Sequence, residues 1–120
     1  MAEEQRGVTV ESVLRCDVCA QPFGALADGM ITFREGTGAV ELTHKGGCDR
    51  SKFDDWTELV FFADPVTALR ELAKVGVRSE PITVKALQRL MLIAWAASLR
   101  STPEERAESV DSTALLESYL

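Results

Sequence analysis

The sequence predicts an α+β fold in which an N-terminal knuckle with a β-hairpin packs on a C-terminal group of three to five helices. Three observations carry that expectation. All three Cys, the only His and seven of the eight Gly fall within residues 1–52. Two β-prone runs in that stretch flank a glycine-bearing connector. Beyond residue 52 the chain holds both Trp, no Cys, and apolar residues at helical spacing. Residues 1–52 are therefore expected to form a small module and residues 53–120 a helical part. The two should pack as one unit, because each alone is short and 120 residues suit a single domain.

Taken in order, residues 8–14 read as a short strand or extended arm leading into Cys16. Met30-Ile31-Thr32-Phe33-Arg34 and Ala39-Val40-Glu41-Leu42-Thr43 form the expected hairpin, joined by Glu35-Gly36-Thr37-Gly38. Side chains alternate along a strand, so Val40, Leu42 and His44 should share a face. Asp54 or Asp55 can cap a helical segment carrying Trp56, Leu59, Val60 and Ala63, with a strand through residues 59–62 as the competing reading. Asp64-Pro65 marks a helix start, with Val66, Leu69 and Ala73, flanked by Leu72, as its apolar stripe and Gly76 as its stop. A turn through Ser79-Glu80-Pro81 leads to the strongest helix, residues 83–100. Ser101-Thr102-Pro103-Glu104-Glu105 opens another, acidic in its first turn as the helix dipole favours. A short apolar tail with Leu115, Leu116, Tyr119 and Leu120 follows, suited to docking on the core or in a partner's groove.

The chemistry concentrates in two pairs. Cys16-Asp17-Val18-Cys19 is a C-x2-C pair, His44-Lys45-Gly46-Gly47-Cys48 is an H-x3-C pair, and 24 residues separate them. Two ligands three apart reach one ion from a tight turn, and a hairpin brings the second pair back to the first. Three thiolates and one imidazole complete a tetrahedron for Zn²⁺. Every Cys and the only His of the chain belong to this set, so Cys16, Cys19, His44 and Cys48 are the expected metal ligands. Competing readings make the cysteines small buried hydrophobes or a redox C-x2-C pair. Four protein ligands leave no open position for substrate, and no second His is at hand as a base, so the expected zinc is structural and the chain is not an enzyme.

This order of turn, hairpin and closing His/Cys pair resembles the treble-clef and zinc-ribbon class of small zinc modules, including one half of a LIM domain, over residues 14–55. The resemblance implies a structural zinc on Cys16, Cys19, His44 and Cys48. The middle segment runs longer than in that class, and the second zinc module of a full LIM domain has no counterpart here. Residues 56–120 carry no family resemblance.

Charge narrows the partners. The net charge is −6 and the pI near 4.8, which opposes a sequence-independent grip on nucleic acid or on an anionic membrane. The uncharged apolar run at residues 90–99 is too short for a bilayer, which needs about 20 residues. The start, MAEEQRGVTVE, does not read as a secretory signal, and thiol ligands suit a reducing, cytoplasmic setting. Residues 83–100 are apolar on nearly every face, so this helix is either wrapped by its neighbours or carries an interface with Met91, Trp95 and Leu99 as candidates. Trp56, Phe61 and Phe62 sit among Asp54, Asp55, Glu58 and Asp64, which favours a core or protein-contact role over base stacking. The expected function is a zinc-stabilised protein-interaction module, an adaptor or regulator without a small-molecule substrate, pairing as a homodimer. The alternative is a nucleic-acid-binding regulator that uses the zinc hairpin with Arg15, Arg34, Lys45, Arg50 and Lys52.

Overall fold

The computed structural model describes residues 8–50, 54–76 and 81–117, with side chains through Val110. It is an α+β structure: a three-stranded antiparallel sheet and several helices. The expected turn at residues 79–81 falls partly outside the described residues, and the side chains of the tail at 115–120 fall wholly outside them.

The hairpin forms where alternation and glycine place it. Strand β1 (Gly29–Arg34) pairs with β2 (Ala39–His44), from Gly29 opposite His44 to Arg34 opposite Ala39. In the connector Gly36 and Gly38 take φ of +82° and +69°, the left-handed region that glycine enters at little cost. A third strand, β3 (Asp55–Glu58), pairs with the other side of β1, giving the order β2-β1-β3. The neighbouring Leu59–Phe62 is a 3-10 turn. Neither a helix from Trp56 nor a strand through residues 59–62 is present. The open edge of β1 draws Asp55–Glu58 into extended pairing, and the turn then buries Leu59, Val60, Phe62 and Ala63 in different directions at once.

The arm before Cys16 also departs from expectation. Val10–Val13 is one helical turn, α1, because Thr9 and Ser12 form a reciprocal cap: Ser12 N–H donates to Thr9 Oγ1 at 3.1 Å, and Thr9 N–H to Ser12 Oγ at 2.9 Å. That local pairing outweighs the β preference of Val8, Val10 and Val13.

Three longer helices follow. Helix α2 (Pro65–Gly76) starts where Asp64 accepts the N–H of Thr67 at 3.0 Å. Its expected apolar stripe faces outward: Val66 and Leu69 are two-thirds exposed and Ala73 is exposed, the flanking Leu72 packs partly on the core, and Thr67, Ala68 and Glu71 face inward. Helix α3 (Val84–Arg100) starts at Thr83, whose hydroxyl accepts from Ala86 N–H at 3.0 Å. Helix α4 (Pro103–Glu117) starts at Thr102 with a second reciprocal cap to Glu105.

The main core joins Ile31, Phe33, Val40 and Leu42 of the sheet to Leu90, Ile93, Ala96 and Ala97 of α3. The Leu59–Phe62 turn lies at its centre and touches α2, α3 and α4. Helix α3 is covered on one side only; Leu87, Met91, Leu92, Trp95 and Leu99 remain exposed. Among the described residues no helix is long and apolar enough to cross a membrane.

Candidate metal centre

The four residues singled out by spacing converge. One ligand atom from each of Cys16, Cys19, His44 and Cys48 lies within 4.8 Å of the other three. Around one tetrahedral zinc, a sulfur and an imidazole nitrogen stand about 3.5 Å apart, given bonds near 2.3 and 2.0 Å. Cys19 Sγ and His44 Nδ1 are 3.4 Å apart. The cluster can hold a metal ion.

Each ligand is placed by a local device. After Cys19 the chain turns through Ala20, whose φ is +63°, and Ala20 N–H donates to Cys16 O at 2.9 Å. Val18 N–H points at Cys16 Sγ at 3.4 Å, the amide-to-sulfur contact of a tight turn. His44 ends β2, and its ring packs on buried Phe23 with centroids 4.5 Å apart. Its Nε2 lies 2.9 Å from the carbonyl of Pro22, so the proton belongs on Nε2 and the Nδ1 lone pair faces the sulfurs. Gly46, at φ +81°, turns the chain so that Cys48 comes back toward the cluster. Gly29 sits opposite His44 for a packing reason: a Cβ there would lie 2.6 Å from Leu59 Cδ2.

Electrostatics fits a cation site. Burial pushes the Cys16 thiol up, but amide donors from Cys19, His44 and Val18, with the His44 ring, overcome it and bring the value down to about 6. Contact with Cys16 and the Pro22 carbonyl raise His44. Desolvation and the neighbouring sulfurs of Cys16 and Cys19 push Cys48 up to about 11. Three sulfurs this close repel one another as thiolates, and a divalent cation removes that repulsion.

One contact was not visible in the sequence. Asp17, inside the C-x2-C pair, receives both guanidinium nitrogens of Arg89 on α3 at 2.7 and 2.8 Å, and also Leu42 N–H at 2.8 Å. The carboxylate thus joins the metal turn to β2 and to α3 at once. Arg100 on α3 and Glu105 on α4 add contacts to Phe23 O, Gly24 O and Leu26 N. The basic residues around the cluster are matched by acids: Arg34 pairs with Asp54, Lys45 with Glu58, and Arg50 with Glu41. Arg15 donates to Ala20 O, and Lys52 lies outside the described residues.

Met91, Trp95 and Leu99 lie far along the chain from this cluster, on the uncovered side of α3, at 56%, 43% and 62% exposure. Trp95 and Leu99 help to line a groove of about 360 Å³ between α2 and α3, together with Leu69 and Leu72. No protein-family model, curated protein or solved structure matches the chain.

Proposed function

We propose that the chain is a non-enzymatic, zinc-stabilised protein-interaction module, an adaptor or regulator that pairs with a second copy of itself across the exposed side of α3. The observation that carries this reading is the convergence of Cys16, Cys19, His44 and Cys48. Three sulfurs and one nitrogen are the donor set that suits zinc, and four protein ligands close its tetrahedron against substrate. The turn at residues 16–19 then acts as a zinc knuckle, in the manner of treble-clef modules. Zinc would hold the loops on either side of the hairpin, which bury little of their own surface. The thiols stay available in a reducing compartment, which supports a cytoplasmic setting.

The dimer reading rests on the apolar groove and its rim. Leu69 and Leu99 are 67% and 62% exposed at a site where a partner would cover them. A protein partner is favoured over nucleic acid because Arg34, Lys45 and Arg50 each sit on a carboxylate. Elemental analysis of the purified chain, together with light scattering on a sizing column, tests both halves. One zinc per chain and twice the monomer mass are expected. A metal-free, folded monomer would end the proposal.

A further inference from the structure

The two edges of the sheet differ in how their peptide groups are satisfied. Along the outer side of β2, Leu42 N–H donates to Asp17 Oδ2 at 2.8 Å, and Leu42 O accepts Asp17 N–H at 2.7 Å. Val40 O accepts from Arg89, and Gly38 O accepts Thr83 N–H. That edge is closed by the turn around Cys16 and by the start of α3.

The same bonds fix which way the other peptide groups point. Peptide groups alternate sides along a strand, so with Leu42 turned outward, Glu41 and Thr43 face β1. Their partners Thr32 and Met30 therefore face β2, and Ile31 and Phe33 face β3. Opposite these stand Thr57 and Asp55, which leaves the peptide groups of Trp56 and Glu58 pointing away from β1. Among the described residues no hydrogen bond reaches the N–H or C=O of Trp56, or the N–H of Glu58. The edge of β3 is open.

Side chains alternate as well. Trp56, 51% exposed, shares one face of β3 with Glu58. Thr57 stands on the other face, where its hydroxyl donates to Glu71 of α2 at 2.8 Å. Between β3 and the C-terminal half of α2, on this Thr57 side, lies a cleft of about 400 Å³ with Phe61 and Val75 in its wall.

An unpaired edge beside a cleft is the combination that takes up an extended segment: main-chain bonds hold the segment, and alternate side chains select it. An antiparallel strand added to β3 would send one set of side chains into the cleft and lay the other beside Trp56 and Glu58. The first set meets Phe61 and Val75, which suits apolar residues. The second meets an indole and the Glu58 carboxylate, which Lys45 engages through Oε1, and this suits lysine or arginine. The net charge of −6 also favours a basic segment. A second copy would bring an equally acidic strand against Asp55 and Glu58, and like charges across a strand pair repel.

We propose that the open edge of β3 takes up an extended segment of a protein partner, with alternating basic and apolar side chains, as a further antiparallel strand of the sheet. The edge and its cleft share no residue with the metal ligands or with the α2–α3 groove, so their fate is separate from that of the function proposed above.

The probe is a short capped peptide of alternating lysine and valine, titrated into the full chain and followed by the amide NMR signals of Trp56 and Glu58. Saturable shifts of both are expected, half-complete at about 1 mM or below. Two methylated forms of the peptide carry equal charge. In the proposed pairing the lysines stand opposite Trp56 and Glu58 and turn their N–H groups toward β3. N-methylation of the lysines should therefore weaken binding about tenfold or more, and N-methylation of the valines far less. Trp56 N–H points away from β1, so Trp56→Pro spares the bonds between β1 and β3. Read from the Glu58 amide, it should bind at least about threefold more weakly than Trp56→Leu, which keeps the N–H. The methylated peptides use the wild-type chain and decide the matter if the proline variant does not fold. No saturable shift up to about 5 mM peptide would overturn the proposal, as would both methylated peptides binding as tightly as the parent. The same shifts on concentrating the chain without peptide would overturn it too, and would identify a second copy as the occupant.

Discussion

The loops around the metal cluster and helix α3 reach order by different means. Between residues 15 and 22 the only buried side chain is Cys16, and residues 45–50 have none. These loops are shaped by hydrogen bonds, left-handed turns and four converging ligands. Helix α3 is held by its buried Ala86, Leu90, Ile93, Ala96 and Ala97. One region relies on turns, hydrogen bonds and a cluster that can hold a metal ion, and the other on apolar burial. Polar contacts join them: Arg89 to Asp17, Arg100 to Phe23 and Gly24, Glu105 to Leu26. Phe23 and Leu26 enter the core that α3 shares, but residues 17–22 and 45–50 bury no side chain, and such segments can lose their order without their neighbour losing the fold.

Metal removal is the widest break between the two regions. With a chelator, the amides of residues 15–22 and 45–50 should lose hydrogen-exchange protection well before those of α3. Binding at a thousand times Kd stabilises by about 4 kcal/mol, so the main transition should fall by roughly 15 °C. Cys16→Ser should reproduce this, since a serine hydroxyl is a poor zinc ligand. Simultaneous loss of protection throughout the chain would show instead that coordination holds the whole structure.

The converse test is made within α3. Leu90 is fully buried, and Leu90→Ala removes its contacts with the sheet; the expected cost is about 3 kcal/mol by denaturant titration. Leu99 is 62% exposed, and Leu99→Ala should cost under about 0.5 kcal/mol in the monomer. Equal losses at the two positions would mean that the outer face of α3 is already covered.

Those two leucines show what the sequence could and could not reveal. Periodicity groups apolar residues on a face without stating which face meets the core. It therefore placed Val66 and Leu69 inward, and both point out. Local chemistry was more reliable: Asp64 caps the helix that starts at Pro65 as expected, and the other two helices begin within a residue or two of the expected starts, where Thr83 and Thr102 prove to be the caps. The convergence of Cys16, Cys19, His44 and Cys48 was legible because ligand spacing is a local signal and every Cys took part. The third strand was not, since Asp55–Glu58 becomes extended only by pairing with β1, about 25 residues earlier. Asp17 and Arg89 are 72 residues apart, and neither carries a mark of the other. In α1 the signal was present as Thr9 and Ser12, but a valine-rich run concealed it.

Cutting the link between the two regions should produce a smaller effect than either test above. Arg89→Met keeps the apolar stem and removes both N–H donors from Asp17. Both side chains are about one-third exposed, which reduces the expected loss to about 1–2 kcal/mol. Metal affinity should fall about tenfold as well, because Asp17 orients the turn that holds Cys16 and Cys19. Asp17→Asn combined with Arg89→Met forms a double-mutant cycle. A coupling near zero would show that the pair is incidental and that Leu42 alone anchors the turn.

The smallest effect separates strain from coordination within the turn itself. Ala20 is the one non-glycine residue with positive φ among those described. A Cβ in that conformation costs about 1 kcal/mol or more, and the cost persists only while the turn is held. Ala20→Gly removes it in the folded state but adds about 0.5–1 kcal/mol of backbone freedom to the unfolded chain. With metal bound, the relieved strain should outweigh the added freedom, raising the melting temperature by about 2 °C and slightly tightening the metal. After chelation the turn is no longer held, so the strain term vanishes and only the entropic loss remains. The substitution should then be neutral or destabilising. A change of sign on metal removal ties the left-handed turn to the ligands; the same sign in both states would mean that the hydrogen bonds of Asp17 and Cys16 hold the turn by themselves.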